Sequence, residues 1–78
     1  MDVELIITNM ESDFDALIKQ YDAKADHEYH LAFGASDAAG TALHLRDMEM
    51  HERMARLYRR MKERCITFVD AYAADAEK

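Results

Sequence analysis

The sequence predicts an all-α protein, a long antiparallel helical hairpin that dimerises into a four-helix bundle or coiled-coil-like rod. Three observations carry this. Two apolar stripes each keep the three-and-four spacing of one helix face over many turns, one glycine-bounded segment separates them, and no proline interrupts either. Seventy-eight residues make a single domain, with no linker or low-complexity tract to divide them.

Helix one is expected over residues 2–33. Its stripe reads Val3, Ile7, Met10, Phe14, Leu17 with Ile18, Tyr21, Ala25, Glu28 and Ala32. The competing element is a strand from Val3 to Thr8, where β-branched residues cluster and Thr8 with Glu11 offers a later helix start. Phase decides for helix, because Val3 and Ile7 extend the face of Met10 and Phe14, and a lone strand has no partner for its backbone.

The turn is expected over residues 34–40. Gly34 suits the left-handed position that ends a helix, and Ser36 or Thr41 can cap the next, with Ser36 preferred. Helix two follows over residues 41–75. Its main seam reads Leu43, Asp47, Met50, Met54, Leu57 with Tyr58, Met61, Cys65, Phe68 and Tyr72, and a second apolar strip of Met48, Ala55, Ile66, Val69 and Ala73 runs beside it. The methionines Met10, Met50, Met54 and Met61 read as core, and Met48 needs the second strip to be covered. A two-helix rod buries little, and below about 70–80 residues a single core rarely contributes more than a few kcal/mol. A homodimer partner over the second strip is therefore expected.

Glu28 and Asp47 interrupt the two stripes at one level, flanked by His44 and His51. Steps of three and four bring His44, Asp47 and His51 within about 5–6 Å of one another between Cβ atoms. The reading is a polar layer that fixes register; the alternative is a divalent transition-metal site with Glu28, His44, Asp47 and His51 as ligands. The spacing matches neither His-Glu-x-x-His nor the Glu-x-x-His of di-iron bundles. His27 and His30 point away from the seam toward solvent. Cys65, between Met61 and Phe68, reads as a small buried hydrophobe.

Ten Lys and Arg against 16 Asp and Glu give a net charge of −6, which disfavours non-specific binding to nucleic acid or an anionic membrane. Arg46, Arg53, Arg60 and Arg64 align on one flank of helix two, where they are expected to pair with Asp13 and Asp22 of helix one, and no stacking aromatics are interleaved there. The acidic N-terminus, the lack of an apolar run of membrane length and the single cysteine point to a cytoplasmic protein.

No catalytic pairing or cofactor-binding motif is present, so the function expected is a non-enzymatic, homo-oligomeric protein–protein interaction or regulatory module. Its partner-binding surface is placed at Met48, Arg53, Arg56, Arg60, Lys62 and Ile66, because interfaces favour Met and Arg. The alternatives are the metal-binding hairpin, and a small acidic inhibitor of a nucleic-acid enzyme, of the phage or mobile-element kind, whose carboxylates stand in for phosphates.

Overall fold

The computed structural model describes residues 2–76. Two helices, α1 (Val3–Gly34) and α2 (Ala38–Ala76), form an antiparallel hairpin of 63 × 15 × 9 Å. Its radius of gyration is 17.9 Å, against about 12 Å for a compact domain of this length. The molecule is a rod.

α1 begins where Asp2, in extended conformation, accepts the Leu5 N–H on its side chain at 3.1 Å. Residues 3–8 are helical, as phase demands. The connection is tighter than the sequence suggests, for α2 starts at Ala38 and only Ala35, Ser36 and Asp37 lie between the helices. Asp37 is the cap, in place of Ser36 or Thr41. Its side chain accepts the Gly40 N–H at 2.7 Å and its carbonyl accepts the Thr41 N–H at 3.1 Å. Thr41 instead ties the helices together, its hydroxyl reaching the Ala32 carbonyl at 3.3 Å and that of Asp37 at 3.1 Å.

Gly34 does not turn left-handed. No described glycine has a positive φ, and the chain leaves α1 through extended Ala35, whose N–H donates to Ala32 O. A Cβ at position 34 would meet nothing within 4 Å. Gly34→Ala should therefore stabilise the protein by about 0.4–1 kcal/mol, through a less flexible unfolded chain. Chemical denaturation checks this. A loss of stability would restore the left-handed assignment.

The core is narrow. Its buried apolar residues are Ile18, Ala25, Ala32 and Ala55; three are alanines, which let the two backbones approach closely along the seam. The α1 stripe faces inward as the sequence predicts, with Val3, Ile7, Met10, Phe14, Leu17 and Tyr21 half-buried.

α2 is rotated relative to its expected packing. The residues that line α1 are His44, Met48, His51, Ala55, Tyr58, Lys62, Ile66, Val69 and Ala73, so the second strip is the hairpin seam. The expected main seam faces outward, and Leu43, Met50, Leu57, Met61, Phe68 and Tyr72 are all exposed. Met54 and Cys65 lie at its margin, half-buried. Cys65 is thus a half-buried free thiol and not a core residue. Phe68, 72% exposed, contributes little to the hairpin itself.

Candidate functional site

The polar layer is assembled in part. His44 Nδ1 donates to Glu28 Oε2 at 2.7 Å, both side chains partly shielded. His51 turns elsewhere, its ring 6.1 Å from that of Tyr21, which in turn stacks on Tyr58 at 5.5 Å. Asp47 is half-buried, but Glu28 bonds to His44 and not to it. The shorter turn explains the change: α2 begins three residues earlier than expected, so the residue facing Glu28 is one turn nearer the hinge.

Among the described residues no three His, Cys, Asp or Glu side chains converge as a cation site requires. Of the four candidates, only Glu28 and His44 are brought into contact. His27 and His30 are exposed, and His30 lies 3.5 Å from Asp26 one helical turn back. A shallow open depression lined by Gln20, Lys24, His27, Glu28 and His51 lies beside this layer. It encloses nothing.

The rod has two unlike edges. Along one, α1 carboxylates meet α2 cations: Lys62 Nζ donates to Asp15 at 2.7 Å and Arg59 to Asp22 at 2.8 Å. The bond to Asp15 raises the Lys62 pKa above its usual 10.5, so this contribution to stability is complete below that pH and fades as the pH rises further. Asp22 thus pairs with a cation outside the arginine row expected to meet it.

The other edge carries the outward stripe of α2, roughly a quarter turn of helix from the seam. Leu43, Met50, Leu57, Met61, Phe68 and Tyr72 form it, with Met54 and Cys65 at its inner border. Ile6, Met10 and Leu17 of α1, half-buried, share the phase of this side and broaden it. Arg46, Arg53, Arg60 and Arg64 border the stripe on the flank away from α1, and among the described residues none of them makes an ion pair. Arg53, Arg56 and Arg60 surround Leu57.

The residues expected to bind a partner are therefore split. Arg53, Arg56 and Arg60 are exposed beside the stripe, whereas Met48, Lys62 and Ile66 are half-buried in the groove against α1. The outward stripe, expected in the core, is exposed surface. The signal that separates the two strips is side-chain size, since Ala55 and, on α1, Ala25 and Ala32 are buried along a seam where the larger Leu57 and Phe68 stay exposed.

No helix among the described residues is long and apolar enough to cross a membrane. Comparison with protein-family models, curated proteins and solved structures finds no match to this chain.

Proposed function

We propose that this chain is a non-enzymatic interaction module that acts as a homo-oligomer, and that the outward stripe of α2 is its contact surface. The observation that supports this reading is the row of large apolar residues of α2 left exposed outside the hairpin, on a rod whose total surface exceeds that of a compact chain of this size. The rod exposes 5963 Å², while a compact 9.0 kDa monomer exposes about 4,900 Å². The surplus of roughly 1,100 Å² exceeds the roughly 800 Å² that each partner contributes to a standard interface.

A second copy suits this surface because α2 presents one continuous apolar line over most of its length, a form that another long helix covers best. Association of two hairpins completes a four-helix bundle and gives the protein the core that four buried residues do not provide. Arg53, Arg56 and Arg60 stay on the rim of such a bundle, where they are available to an acidic protein partner.

Sedimentation equilibrium should find a dimer or higher oligomer at micromolar concentration, and the melting temperature should fall on dilution. Leu57→Asp with Phe68→Asp should weaken association at least a hundredfold, since each charge would otherwise be buried without a partner. A folded native monomer whose melting temperature ignores dilution would sink the proposal.

A further inference from the structure

We infer that two copies pair through α2 in antiparallel register, about a two-fold axis at the level of Leu57, with Asp13 of each copy facing Lys24 of the other. This rests on the self-association proposed above and adds its geometry. The stripe occupies positions 43, 47, 50, 54, 57, 61, 65, 68 and 72. The steps read the same from either end, apart from the two that flank Leu57. A helix with this spacing is complementary to itself when reversed, as a closed isologous interface demands. The reversal sets Leu43 against Tyr72 of the second copy, Met50 against Cys65 and Met54 against Met61.

α1 responds to the same axis independently. The contacts between the helices, from Thr41 with Ala32, His44 with Glu28 and His51 with Tyr21 on the turn side to Tyr58 with Tyr21, Arg59 with Asp22 and Lys62 with Asp15 beyond it, bracket the level of Leu57 on α1 and centre it near residues 18–19. Rotation about that level places Ile6 opposite Leu31 of the second copy, and Asp13 opposite Lys24. All four share the phase of the side that carries the stripe. Among the described residues neither Asp13 nor Lys24 forms an ion pair within its own hairpin; Lys24 lies over the Tyr21 ring instead, 4.8 Å from its centroid. The two-fold thus joins apolar to apolar along most of both helices, Asp47 against Phe68 being the exception on α2, and opposite charge to opposite charge on α1. Packing α2 against α1 of a second copy, with both turns at one end, would lay the apolar stripe on the flank that holds Asp13, Gln20 and Lys24.

Cross-linking of single-cysteine variants by a short bis-maleimide tests the register. Leu57→Cys in a Cys65→Ser background should give a covalent dimer efficiently. Leu43→Cys in that background should not, its copies lying about 43 Å apart along the rod, and neither should the native protein, whose Cys65 residues lie about 22 Å apart, at 1.5 Å per residue. Leu43→Cys mixed with Tyr72→Cys should link. Asp13→Lys should weaken the dimer roughly 5- to 30-fold, the combined effect of two exposed ion pairs, and Lys24→Asp added to it should restore the affinity. If sedimentation finds a dimer but Leu57→Cys does not link, or Leu43→Cys links to itself, or Lys24→Asp fails to rescue, this register is wrong while self-association stands. If sedimentation finds only a monomer, the self-association itself falls.

Discussion

Ile18→Ala is expected to lower the unfolding free energy by about 2–5 kcal/mol, the usual cost of truncating a buried isoleucine. Ile18 is 8% exposed and is the one large side chain among the buried residues, the other three being alanines. Its loss cannot be repaired by inward movement of its neighbours, because the alanines already hold the helices at close approach. A core this small contributes only a few kcal/mol in total, so the variant should be largely unfolded at concentrations where the native protein is folded. Urea denaturation of the two proteins, followed by far-ultraviolet circular dichroism at matched concentration, measures the difference. A midpoint within a few tenths of a molar of the native value would mean that the hairpin seam carries little of the stability.

The helices themselves were legible in the sequence, and so was the inward face of α1. Val3, Met10, Phe14, Tyr21 and Ala25 lie on one phase with no competing stripe, so periodicity alone determines which side is covered. α2 is different. Two apolar strips lie about a quarter turn apart on it, and hydrophobic spacing reports that both need cover without saying which neighbour covers which. The larger residues draw attention first, yet a pair of long helices meets most closely where the side chains are smallest. The turn was legible only in outline: Ser36 and Asp37 are adjacent and are comparable caps, and the choice between them depends on where Thr41 can reach Ala32. The start of α2 at Ala38, three residues before the expected one, shifts register by about one turn and replaces Asp47 with His44 as the neighbour of Glu28. The polar layer was therefore found at the right level with the wrong pairing, and the arginine row was found without its setting, since the stripe it borders had been assigned to the interior.

Ala55→Phe tests the rotation of α2 directly. In the structure Ala55 is 1% exposed, enclosed in the seam between the two helices, and a phenyl ring there has no space without driving the helices apart. Overpacking of this kind costs about 1–3 kcal/mol and sometimes more. Separation of the helices would also stretch the 2.8 Å contact of Arg59 with Asp22 and the 2.7 Å contact of Lys62 with Asp15, made one and two turns further along α2. Were α2 turned so that Leu43, Met50, Leu57 and Phe68 faced α1, position 55 would lie on an open flank, and an added ring would be tolerated or would gain some apolar burial. The two rotations thus differ in the sign of the effect. Thermal denaturation at several protein concentrations isolates it from association, because damage at the hairpin seam lowers the melting temperature at every concentration. A variant as stable as the native protein would require α2 to be rotated back, with the outward stripe returned to the core of the hairpin.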